Sequence, residues 1–396
     1  MLLLLVIIYL AFISLGLPDA VLGSSWPVMH RDLGSTLEFA GIIALVVSSG
    51  TVISSLLSAR LIHHFGPGKV VAVSVLMTAV ALLGFTQAQS VWILALLAIP
   101  LGLGAGSVDA ALNNFVAIHY KSKHMNYLHS FWGVGATAGP LIMAAFLSQQ
   151  EGWRSGYTTL SYVQFALVVV LFLSLPLWKQ ALTSLQTTDD QPAGLVTNAS
   201  ALKMKGVKLQ LVMFCCYCSL EAGAGLWAAS YLTEEKGVVP TEAAFWTAMY
   251  FLGITAGRFV CGFIADKVKG ETLIRSGIIT IFIGVILLLM PLSPLFAKIG
   301  LILIGFGCAP IYPNTIHLTP QRFGQAASQA IIGLSMAFAY VGTTLFPPII
   351  GAVASTFSFV MFPVILLAFS IMMLMTTEQL KRLASNEEDL VTAEQV

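Results

Sequence analysis

The sequence predicts an all-α integral membrane protein: twelve transmembrane helices in two six-helix bundles. Three observations carry this. Charged residues make up only 9% of the chain and hydrophobic ones 57%, against about 25% charged residues in a soluble domain. The apolar residues fall into runs of about 20, the length needed to cross the hydrocarbon core as a helix. One long polar interval, Lys179 to Lys208, divides six such runs from six. Only helices and closed barrels span lipid, and these runs are too long for barrel strands and lack their alternation.

The predicted helices cover residues 3–27, 38–64, 69–87, 91–119, 125–149, 156–178, 208–234, 241–267, 272–291, 296–318, 325–354 and 358–382, numbered 1 to 12 below. Helix 1 superficially resembles a signal peptide. It lacks a basic n-region, however, and its apolar run continues past Asp19 to Trp26, so it reads as a spanning helix. The expected domains are 1–178, a linker over 179–207, 208–383, and a disordered tail over 384–396 that is polar and acidic (Glu387, Glu388, Asp389). His63 and His64 fall in the loop after helix 2. Trp92, Trp153 and Trp178 lie near helix ends and read as interfacial anchors.

Basic residues in the loops set the expected orientation. Fourteen lie on the linker's side and four (Arg31, Arg154, Lys236, Lys298) on the other, and Arg258 inside helix 8 completes the nineteen. The positive-inside rule then puts the linker and both termini in the cytoplasm of a cell (inner) membrane. A net charge of +1 with no Lys/Arg-rich run gives no argument for nucleic acid. The five cysteines lie in apolar stretches without metal-ligand spacing and read as packing residues. The phosphate loops, metalloprotease motif and nucleophile elbow of soluble enzymes are missing. The expectation is a non-enzyme without cofactor or metal, acting as a monomer in the lipid bilayer.

The halves repeat weakly. Asp19-Ala-Val-Leu-Gly23 in helix 1 answers Glu221-Ala-Gly-Ala-Gly225 in helix 7, and Gly102-Leu-Gly104 before Asp109 answers Gly305-Phe-Gly307 before Tyr312. Tandem parallel repeats suggest a transporter with its site at the midplane between halves. Intramembrane ionisable residues are expensive and mark such sites. Asp109 follows a Gly-rich stretch and shares a helix face with Asn113, four residues on. A carboxyl in a dry site is suited to load and release a proton near neutral pH, or it could simply cross-link helices. Asp19 follows Gly16 and Pro18, which loosen the helix and free backbone groups; it suits a polyhydroxylated substrate. Glu221 could bind substrate, carry a second proton, or neutralise Arg258. Trp26, Trp132, Trp227, Tyr312 and Tyr340 are candidate cavity aromatics, with Asn113, Asn114 and Asn314 to read hydroxyls. His129 and His317 lie near the linker-side helix ends.

Gly262-Phe-Ile-Ala-Asp266-Lys267-Val-Lys-Gly270 resembles the loop signature of the major facilitator superfamily. Its first-half copy, Ala59-Arg-Leu-Ile-His63-His64-Phe-Gly66-Pro-Gly-Lys69, has His63 at the place of the family's Asp. Within that superfamily the chain is similar to the fucose permease (fucose–proton symporter) group. Gly106-Ser-Val-Asp109-Ala-Ala-Leu-Asn113-Asn114 matches its helix 4 pattern, with Asp109 in place of a proton-coupling Glu, and Asp19 with Pro27 is similar to its helix 1, with a longer gap between acid and proline. Asn126-Tyr-Leu-His129-Ser-Phe-Trp132-Gly133 has His129 and Trp132 where the fucose transporter has amides. The resemblance implies the major facilitator fold and proton-coupled symport of a sugar or similar polar solute. Asp109 and Glu221 would couple protons; Asp19, His129, Trp132 and the residues above would bind substrate; Arg258 and Asp266 would gate. Sodium could use the same carboxylates. Gly133-Val-Gly135-Ala-Thr-Ala-Gly139-Pro140 also resembles an antiporter motif, so an exporter stays open.

Overall fold

The computed structural model describes residues 2–120, 122–148, 152–183, 197–264, 267–291 and 293–394. Within them lie twelve helical spans long and apolar enough to cross a membrane. Span 1 is Leu2–Asp19 and Val21–Asp32. Spans 2 to 6 are Phe39–Phe65, Pro67–Thr86, Val91–His119, Ser122–Ser148 and Gly152–Leu173. Spans 7 to 9 are Val207–Glu234, Pro240–Ile264 and Gly270–Leu289. Span 10 is Pro294–Cys308 and Ile311–Phe323, span 11 is Gln325–Thr356, and span 12 is Met361–Glu394. Every predicted helix has its span.

The two halves are built alike. In the first, span 4 packs on spans 2 and 3, span 5 on span 1, and span 6 on span 3. In the second, span 10 packs on spans 8 and 9, span 11 on span 7, and span 12 on span 9. The weak sequence repeat therefore corresponds to one helix arrangement used twice. Buried polar pairs fix it locally: Ser14 donates to the Gln164 side chain at 2.7 Å, and Gln164 donates back to the Ser14 carbonyl at 2.7 Å. Reciprocal bonds of this kind offset the cost of placing polar side chains in an apolar bundle.

Four local expectations change. Residues 384–394, expected to be disordered, continue span 12 as helix. Short helices Leu175–Thr183 and Asn198–Ala201 occupy the ends of the linker, whose residues 184–196 lie outside the described set. His63 and His64 belong to the last turn of span 2 rather than a loop, though both are exposed. Of the three anchor tryptophans only Trp92 is exposed, at 66%. Trp153 is buried and donates to Asp32 at 3.0 Å; Trp178 is buried and donates to Ser174 at 3.2 Å. A polar partner within reach draws each indole inward.

The halves meet through spans 5 and 8, spans 2 and 11, and the second segment of span 1 against spans 7 and 8. These contacts close the end of the molecule away from the linker. Arg31 at the end of span 1 reaches Glu234 at the end of span 7 there, at 2.6 Å.

Candidate functional site

The site begins at the break in span 1. Pro18 has no N–H for the helix ladder, and the helix is interrupted at Ala20. Asp19 stands at this interruption, exposed to the interior cavity. Span 5 lies against span 1 with backbone approaching backbone: a Cβ on Gly16 would overlap the Trp132 carbonyl, and one on Gly135 would overlap that of Ile13. Small residues permit this approach. It brings the Trp132 indole N–H to Asp19 Oδ2 at 2.8 Å.

Span 10 carries the second interruption, between Cys308 and Ile311 at Pro310. The Pro310 carbonyl accepts from both the Asn314 side chain at 2.6 Å and the Asn314 backbone N–H at 3.3 Å, which starts the second segment at the break. Tyr312, two residues on, donates to Met336 of span 11 at 3.2 Å.

Between the halves lies a cavity of about 1850 Å³. It opens toward the linker, where Lys205, Lys269 and Leu383 line it, and ends inward at Asp19 and Glu221. The structure brings together Asp19, Asp109, His129, Trp132, Glu221, Arg258, Tyr312, Asn314 and Tyr340 on its wall. His317 joins them nearer the mouth. Asn113 does not line it but donates to Asp109 Oδ1 at 2.9 Å, as their four-residue spacing predicts. Asp266 and the Asn114 side chain lie outside the described set.

Trp26 and Trp227 are corrections. Both are fully buried beside the closed end. Trp26 donates to the Leu37 carbonyl at 2.7 Å and Trp227 to the Pro347 carbonyl at 2.8 Å. Arg258, expected to gate, lines the cavity. Its Nη2 stands 3.6 Å from Glu221, its Nη1 donates to the His129 carbonyl at 3.3 Å, and its guanidinium lies 5.3 Å from the Trp132 ring centroid.

Reasoning from sequence missed Phe12, Leu15, Thr51, Met336 and Thr343, which also line the cavity. A signal existed for four of them. Phe12 and Leu15 precede Asp19 by seven and four residues, and Met336 and Thr343 flank Tyr340 by four and three. Each set shares a helix face.

The electrostatics are uneven. Among the described residues Glu221 has a cationic partner, while Asp19 and Asp109 have none within salt-bridge distance. Each is held by one neutral donor. An unpaired carboxylate in an apolar surround is costly, so these two are places for water, a cation, a proton or a polar solute.

The family model of the Major Facilitator Superfamily matches residues 8–222 and again 209–392. The chain belongs to the Major Facilitator Superfamily. The two matches meet near the linker, in keeping with the repeated helix packing. Relatives include Bypass of stop codon protein 6 of Saccharomyces cerevisiae, 22% identical over 87% of this chain and 76% of that one. The cis,cis-muconate transport protein of Acinetobacter baylyi is 26% identical over 81% and 79%. The glucose/mannose transporter GlcP of Bacillus subtilis is 21% identical over 78% of each chain. A crystal structure of a mutant of the nucleoside transporter NupG shares the fold, with a TM-score of 0.76 at 12% identity over 94% of this chain and 98% of that one. This chain is therefore a major facilitator transporter of small solutes, a multi-pass membrane protein.

Proposed function

We propose that the chain is a proton-coupled symporter of a sugar or similar small polar solute, related to the fucose permease group. It works by alternating access in the cell inner membrane, with linker and termini cytoplasmic. The observation that carries this is the pair Asp19 and Asp109: two carboxyls without a cationic partner among the described residues, facing one cavity from the same half. Asp109 carries the coupling proton. Asp19, set at a helix break beside an aromatic ring, accepts hydrogen bonds from solute hydroxyls. Glu221 serves first as counter-ion to Arg258. An empty, ionised Asp109 resists enclosure, and proton plus solute relieve that, so the halves rock only when loaded. Similarity to the Bacillus glucose/mannose transporter favours the sugar class. The glycines that resemble an antiporter motif are occupied in packing, Gly133 against Thr255 and Gly135 against Ile13, so they lend export no separate support.

The test is solute uptake under an imposed pH gradient. Asp109→Asn should abolish proton-driven accumulation while leaving counterflow exchange. Full accumulation at an unchanged pH optimum would sink the assignment, and accumulation driven by sodium alone would move the coupling to that ion.

A further inference from the structure

Arg258 lines the cavity with donors to spare. A guanidinium carries five N–H groups in a planar fork. Of these, one bonds the His129 carbonyl at 3.3 Å, and Nη2 stops 3.6 Å short of Glu221, beyond hydrogen-bond distance. The two side chains are 15% and 19% exposed. Glu221 Oε1 is buried and has no hydrogen-bond partner among the described residues. This is an ion pair held short of hydrogen-bond contact, with one carboxylate oxygen left over.

Trp132 links the pair to the rest of the site. Its ring face supports the Arg258 guanidinium and its N–H holds Asp19. One indole thus carries a hydroxyl-accepting carboxylate at its edge and an oxyanion-binding fork over its face. A neutral sugar answers the first, and its hydroxyl oxygens accept from the second without neutralising its charge. A carboxylate answers the fork, because Arg and carboxylate match in planar, bidentate geometry.

We propose that the solute is a polyhydroxylated acid, its carboxylate taken by Arg258 and its hydroxyls by Asp19. The proposal rests on the symport reading above and narrows its substrate class. The solute carboxylate replaces Glu221 as counter-ion, and Glu221 takes up a proton as it does so. The ionisable groups around Glu221 are Arg258 and Tyr250 of span 8, Tyr217 and Cys218 of its own span, and Cys308 of span 10. Only Arg258 among them is a cation, so displacement leaves the carboxylate without a positive partner there.

Matched probes test this: D-gluconate against D-glucitol, and D-galactonate against D-galactitol, with sodium chloride balancing the salts. Each pair differs in one carboxylate. Binding to the purified full-length protein is followed by titration calorimetry in two buffers of different ionisation heat. We expect at least one acid to bind tenfold or more tightly than its alditol, with net proton uptake. Arg258→Gln should erase the difference. Glu221→Gln, which removes the competing anion, should raise acid affinity severalfold and lower the uptake by the proton that Glu221 would take, leaving that of Asp109. Alditols binding as well as the acids would overturn the proposal and leave the sugar reading standing. So would an acid preference that survives Arg258→Gln. Should Arg258→Gln fail to fold, acid affinity unchanged or lowered in Glu221→Gln overturns it alone. Absence of binding by all four probes overturns this proposal and leaves the sugar reading to the uptake test above.

Discussion

Trp132 holds Asp19 through one N–H in a cavity open to water, and the value of that bond can be bounded. A hydrogen bond to a charged group contributes about 1.5–3 kcal/mol when buried. Cavity water offsets much of this on loss of the donor, leaving about 1 kcal/mol, or roughly fivefold in affinity. Trp132→Phe keeps a ring and removes the N–H, so solute half-saturation in uptake should rise about fivefold with the protein still folded. Unchanged half-saturation would show that Asp19 is placed by the helix break alone. At this scale the sequence was legible wherever a polar group sat in an apolar run. Asp19, Asp109, His129, Glu221 and Arg258 all reach the cavity, because each costs too much to face lipid. Trp26 and Trp227 were not legible. An apolar ring is equally at home against lipid, a cavity or another helix, and a buried indole needs only one acceptor. Carbonyls of Leu37 and Pro347, distant in sequence, supply it.

Among elements, the closed end depends on how near span 1 comes to span 7. A Cβ added to Gly23 would stand 2.6 Å from the carbonyl oxygens of Gly225 and Leu226, both backbone atoms that cannot turn aside. Overpacking of this kind costs about 1–3 kcal/mol, which here falls on the closed end alone. Gly23→Val should therefore shift the population away from the linker-open state. Cys261 lines the linker-side cavity and reports this. Its labelling by a bulky hydrophilic maleimide, mapped by mass spectrometry, should slow about tenfold or more. An unchanged rate would mean that spans 1 and 7 do not control closure. The spans themselves were readable because lipid demands about 20 apolar residues. The break in span 10 was not read, although Pro310 stands in the sequence, because a spanning helix often tolerates proline. The tail failed in the opposite sense: acidic composition argued for disorder, while span 12 simply runs on to Glu394.

For the whole molecule, the question is whether packing or charge keeps the far end shut. The Arg31–Glu234 pair joins the halves across it at 2.6 Å, an arrangement that invites the name of a lock. Its side chains are 58% and 30% exposed. Exposed pairs contribute about 0–1 kcal/mol, and salt weakens them. Beneath it, Gly23 lies against span 7, and a Cβ on Gly41 of span 2 would meet Pro348 of span 11 at 2.6 Å. Trp26 and Trp227 fill the space around these crossings. Buried contacts of this kind are insensitive to salt and exceed a single exposed pair. Arg31→Gln should therefore slow Cys261 labelling by no more than about fivefold, less than Gly23→Val. Salt at 0.5 M should bring the unaltered protein toward the variant's rate, since screening removes the same attraction that the substitution removes. A slowing of tenfold or more in Arg31→Gln, persisting in high salt, would reverse the ranking and make the ion pair the principal closure of the far end.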